Sequence, residues 1–140
     1  MIGAVVIAHK QVAQEIVAAA EGVAGKQERL VALSNDGLSL DGLKEAMSEL
    51  VEKEDVADGM FLFVDMIGGS PWRAAMEKVG PKVCVLTGMN LSMLLSFLQK
   101  RKEDHSFEEL AAIIEHDGKR GIKRWGLGTG DRRLEIGEDQ

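Results

Sequence analysis

The sequence has no tyrosine, four phenylalanines, two tryptophans, one cysteine and two prolines in 140 residues. Each scarcity closes off a class of function. Aromatic residues make up 4% of the chain, so the stacking platforms that bind single-stranded nucleic acid are poorly supplied. Basic charge is short as well. Lys and Arg number 17 against 23 Asp and Glu, a formal charge of -6 that repels nucleic acid and anionic membranes. The single cysteine, Cys84, forms no internal disulfide, and its place in the apolar run KVCVLTG reads as a small buried hydrophobe. A reducing compartment follows, and the expected location is cytoplasmic. Residues 1–8 are apolar but too short for a membrane span, and no basic region precedes them as in a signal peptide. No CxxC, HExxH or carboxylate cluster argues for a metal, and no Walker or Rossmann glycine pattern follows the first strand. Neither metal nor cofactor is expected.

What is present is 45% hydrophobic residue content, enough for the core of one ordinary domain. Its pattern alternates between two types. Short continuous apolar runs at 2–8, 29–34, 60–65 and 82–88 read as strands covered on both faces. Stretches with helical spacing at 11–25, 39–55, 71–80, 90–101 and 106–121 read as helices, the third starting at Pro71, a favoured first position. Strands alternating with helices predict an α/β fold, a doubly wound open sheet with a parallel core and helices on both faces; the order expected is 2-1-3-4, the one that brings His9 beside Asp65. Residues 1–121 form the expected domain. Residues 122–140 form a tail rich in glycine and charge, with IKRW or RRLEI as a candidate antiparallel edge strand and a disordered end. The glycines of GLGTGD (126–131) open no helix and are discounted.

Ligands of such sheets bind beyond the carboxyl ends of the strands, where the winding reverses. The residues that follow the four strands are His9-Lys10, Ser34-Asn35-Asp36-Gly37, Asp65 with Gly68-Gly69-Ser70-Pro71, and Thr87-Gly88-Met89-Asn90. In order 2-1-3-4, strands one and three are neighbours, so His9 and Asp65 lie side by side. A histidine donating one ring N–H to a carboxylate has its tautomer fixed and its other nitrogen aimed outward as a nucleophile. The glycine turn Gly68-Gly69, the helix start behind it and the Ser70 hydroxyl are donors suited to a phosphoryl group. His9 and Asp65 are therefore the candidate catalytic pair, with Gly68, Gly69 and Ser70 as the phosphoryl-binding set. His105 and His116 have no comparable context and read as solvated.

Three segments, VVIAHKQVAQEI (5–16), FVDMIGGSPWRAAM (63–76) and VLTGMNLSMLLSFL (85–98), resemble the enzyme IIA component of the mannose-type bacterial phosphotransferase system. The resemblance runs through about residue 121. It implies that His9 is phosphorylated on Nε2, that Asp65 orients it and that Ser70 lies near the phosphoryl oxygens. It also implies phospho-HPr as donor, a separate sugar-specific IIB protein as acceptor, and a homodimer in which an edge strand is exchanged. One departure stands out: the family usually has glycine after the histidine, and here it is Lys10. A lysine there either pairs with the phosphoryl group or stands on the docking surface. The phosphocarrier subunits of dihydroxyacetone kinase share the fold but match the third-strand motif less well.

Three other readings compete with this one. A receiver domain also ends its third strand in aspartate, but it needs an acidic pair for magnesium where His9-Lys10 stand. A small-molecule binding module would use the same pocket. A regulatory phosphoprotein, signalling through the state of His9 without sugar transport, would use the same histidine.

Overall fold

The computed structural model describes residues 1–128. These form β1 (Gly3–Ala8), α1 (Val12–Ala24), β2 (Leu30–Ser34), α2 (Leu40–Lys53), β3 (Met60–Val64), α3 (Gly69–Met76), β4 (Val83–Thr87), α4 (Leu91–Lys100) and α5 (Phe107–Arg120). The four strands make one parallel sheet in the order β2-β1-β3-β4. The α/β architecture and the strand order are those expected from the sequence.

Burial follows position in the sheet. The central strands, GAVVIA and MFLFV, are buried at every residue, whereas the edge strand β2 is half-buried throughout. Side chains alternate between two cores, as strand geometry requires. Ala4, Val6, Ala8, Phe61 and Phe63 pack with Ala13, Val17 and Ala20 of α1, Met93, Leu94, Phe97 and Leu98 of α4, and Leu110 and Ile114 of α5. Val5, Ile7, Met60, Leu62 and Val64 pack on the other face with Leu43 and Met47 of α2 and Ala74 and Ala75 of α3. All four phenylalanines of the chain meet in the first core, with ring centroids 4.7 to 5.9 Å apart. The four phenylalanines are thus spent on packing rather than on ligand stacking.

Local chemistry sets the helix starts. Ser39, Asn90 and Ser106 cap α2, α4 and α5 by accepting a backbone N–H, and Ser106 with Glu109 completes a capping box. Helix α3 differs from the sequence expectation. It begins at Gly69 rather than Pro71 and ends at Met76 rather than Gly80. Pro71 still falls in the first turn, where its missing N–H forfeits no helical hydrogen bond. In the tail, residues 122–125 form no strand, and the other candidate edge strand, residues 132–136, lies outside the described residues. Among the described residues, no helix is long and apolar enough to cross a membrane.

Candidate functional site

Register places the site. β1 and β3 pair with Ile7 opposite Val64, so both strands release the chain at the same edge of the sheet, with His9 and Asp65 among the first residues beyond it. The loops after β1, β2 and β3 converge there, and the sequence-predicted residues His9, Asp65, Gly69 and Ser70 come together.

His9 and Asp65 are locked together. The Nδ1 of His9 lies 2.7 Å from Asp65 Oδ2, and the same oxygen accepts the backbone N–H of His9 at 2.9 Å. The other carboxylate oxygen, Oδ1, accepts the N–H of Met66 at 2.9 Å. A carboxylate held by two backbone N–H groups presents a fixed acceptor to the ring. The side chain of His9 is 38% exposed and that of Asp65 17%, so the acid is sheltered while part of the imidazole faces solvent. With Nδ1 committed to Asp65, the neutral ring carries its proton there and leaves the Nε2 lone pair available.

The glycine turn lies under that second nitrogen. Gly68 and Gly69 both adopt left-handed backbone angles, with φ of +86° and +77°. Side-chain-bearing residues adopt such angles only with strain, which accounts for the pair of glycines. At Gly69 a second constraint applies. A Cβ atom there would stand 3.2 Å from both Cε1 and Nε2 of His9. The bare backbone therefore lets the α3 N-terminus, with its orphan N–H groups, approach the ring edge that carries Nε2.

The loop after β2 closes the third side. Lys10 has a φ of +52°, an uncommon conformation for a residue other than glycine. Three contacts hold it: its N–H donates to Asn35 Oδ1 at 3.1 Å, its carbonyl accepts from Ser34 Oγ at 2.5 Å, and its ammonium meets Asp36 at 3.3 Å. The Asn35 amide also donates from Nδ2 to Ser70 Oγ at 3.4 Å. Asn35 was visible in the sequence as a residue following the second strand, but nothing there assigned it a contact with both of the other loops.

Exposed apolar side chains occur on the same loops and at the start of α1: Val12, Leu38, Met66 and Ile67 are each more than two-fifths exposed. Elsewhere, His116 is exposed as expected, whereas His105 is partly buried and lies 2.9 Å from Glu103. Thr87 at the end of β4, with Gly88 and Asn90 beyond it, lines a separate hollow with Glu115 and Lys119 of α5. Burial, aided by the Glu115 charge, pushes the Cys84 thiol up from its ordinary range.

A family model described as "PTS system fructose IIA component" matches residues 3–115. The mannose-specific EIIAB component of the phosphotransferase system of Escherichia coli K12 is 33% identical over 125 residues, which cover 87% of this chain and 39% of that protein. The chain thus spans about two-fifths of the length of the curated relatives it matches. Among solved structures, the phosphotransferase component EIIA of Streptococcus agalactiae superposes with a TM-score of 0.79 at 26% identity, covering 89% of this chain and 97% of that one. The mannose/sorbose-specific IIA subunit of Enterococcus faecalis shares the fold, with a TM-score of 0.76 at 20% identity over 91% of this chain and 97% of that one.

Proposed function

Since the chain belongs to the mannose-type IIA family of the bacterial phosphotransferase system, we propose that it is a cytoplasmic phosphocarrier, a protein-to-protein phosphotransferase that takes a phosphoryl group from phospho-HPr onto His9 and passes it to a IIB component. The observation that carries this reading is the 2.7 Å contact between His9 Nδ1 and Asp65, which leaves Nε2 as the free ring nitrogen beside the glycine turn.

In the proposed step, the Nε2 lone pair of His9 attacks phosphorus. The bond from phosphorus to the donor's histidine nitrogen breaks, and its electron pair returns to the donor ring. The proton on Nδ1 stays in place, so the phosphorylated ring of His9 acquires positive character and Asp65 stabilises it through the contact already formed. The phosphoryl oxygens are received by the N–H groups of the Gly68-Gly69 turn, the start of α3 and the Ser70 hydroxyl. Transfer to IIB reverses the sequence. The exposed Val12, Leu38, Met66 and Ile67 around this point favour a protein partner, because interface centres are apolar.

Mass spectrometry after incubation with phosphoenolpyruvate, enzyme I and HPr tests the proposal. One phosphoryl group should appear on His9 and none on the His9→Ala variant. Phosphorylation retained in that variant refutes the assignment. Onward transfer from the phosphorylated protein to a IIB protein then separates a transport relay from a purely regulatory phosphoprotein.

A further inference from the structure

We propose that Asn35 is a positioning residue that sets the hydroxyl of Ser70 as a donor toward the phosphoryl site; this rests on the carrier role of His9 proposed above. The orientation of the Asn35 amide is set by its neighbours. A backbone N–H can only donate, so the atom of Asn35 facing Lys10 N at 3.1 Å must be the amide oxygen. The amide nitrogen is thereby turned to the other side, where Ser70 Oγ stands at 3.4 Å.

The amide has little freedom to turn away. The backbone N–H of Asn35 donates to Ala8 at 3.2 Å, extending the β1–β2 ladder past its last pair, and its carbonyl accepts from Leu38 at 3.1 Å. Asn35 is partly buried and bonded at both ends of its backbone as well as at its side-chain oxygen. A serine hydroxyl has one proton and two lone pairs. The amide N–H occupies a lone pair of Ser70, so the proton is directed elsewhere. Ser70 adjoins Gly69, whose Cα faces Nε2 of His9, and a phosphoryl group on that nitrogen supplies the oxygens the proton can meet. Asn35 thus joins the loop that carries the histidine to the loop that carries the serine, and fixes which way the serine donates.

The chemistry of substitution separates this role from a merely structural one. Asn35→Asp keeps an acceptor for the Lys10 N–H but offers Ser70 a second acceptor, which draws its proton away from the site. Single-turnover transfer from phospho-HPr should slow on the order of tenfold, the loss of one charge-assisted hydrogen bond. Ser70→Ala should slow it by a similar factor, and the double variant should be no slower than the slower single one. Thermal unfolding and the ring nitrogen NMR signals of unphosphorylated His9 should match the unsubstituted protein in all three. Multiplying effects in the double variant would overturn the inference, because Asn35 would then act without Ser70, through its charge alone. A normal rate in Asn35→Asp would also overturn it. If the unsubstituted protein accepts no phosphoryl group on His9, the carrier role itself fails and this inference falls with it; acceptance with multiplying effects defeats the inference and leaves the carrier role standing.

Discussion

Gly68 and Gly69 offer a matched pair of substitutions that share one cost and differ in another. Both have left-handed φ, +86° and +77°, so replacing either with alanine forces a Cβ into an unfavourable backbone region. That strain is worth roughly 1–2 kcal/mol. For a chain of this size it should lower Tm by roughly 3–10 °C in either variant. The surroundings differ. A Cβ at Gly68 meets nothing within 4 Å, whereas one at Gly69 lies 3.2 Å from Cε1 and Nε2 of His9, so the ring must yield by a few tenths of an ångström. Misplacing a reacting group by 1 Å costs about a hundredfold, so a few tenths should slow transfer severalfold, on the order of fivefold. The expected result is two variants of equal thermal stability, of which only Gly69→Ala transfers slowly beyond what its unfolded fraction explains. Differential scanning calorimetry and rapid-quench phosphotransfer from phospho-HPr measure the two quantities. Equal transfer rates in the two variants would mean that the glycine at 69 serves the turn and not the ring.

Asp65→Asn should fold but transfer on the order of a hundredfold more slowly, because an amide can present N–H to Nδ1 and favour the wrong tautomer; a normal rate would remove Asp65 from its orienting role. Lys10→Gly relieves a positive φ and gives up an exposed ion pair with Asp36 worth about 1 kcal/mol or less, so Tm should hold or rise by a few degrees. With its ammonium on Asp36, Lys10 should leave the transfer equilibrium with HPr insensitive to this substitution at low and high salt; a low-salt shift would place the lysine on the phosphoryl group instead. Cys84 should alkylate more slowly than an unstructured thiol at neutral pH, because its raised pKa lowers the thiolate fraction; equal rates would contradict that. Gly59→Ala should destabilise by roughly 2–4 kcal/mol through strain and overpacking. Its φ is +109° and the added Cβ would stand 2.4 Å from the Phe107 ring, so denaturant titration would read the loss directly.

The elements most legible in the sequence are those whose environment is uniform. GAVVIA and MFLFV are apolar without alternation because both of their faces are covered, and that pattern makes them legible as buried strands. Connection rules restrict the handedness of the crossovers but not the strand order; the order expected is the one that brings His9 beside Asp65, and the sheet adopts it. The start of α3 departs from the sequence pattern for a physical reason. Proline marks a first turn, but positive-φ glycines ahead of it let the chain enter the helix two residues sooner. Asn35 carries no signal of its own, because asparagine after a strand is ordinary turn chemistry. Its significance lies in two contacts, with residues 25 and 35 positions away in sequence, and single-chain periodicity carries no trace of either. Lys10 shows the reverse case. A lysine where the resembling family has glycine looks like a change of charge, and the φ of +52° shows that it is equally a change of backbone tolerance.

One oxygen atom, Oδ2 of Asp65, accepts both the main-chain N–H and the ring of the same histidine. The imidazole is therefore a fixed terminal and not a swinging arm. In the proposed relay, donor and acceptor must land in turn on one small platform, and they exclude each other from it. Kinetics of the ping-pong type follow, with no complex of three proteins on the path. A partner that dwells becomes an inhibitor, so an Ile67→Trp exchange that tightened docking of the donor would slow the traffic it was meant to speed.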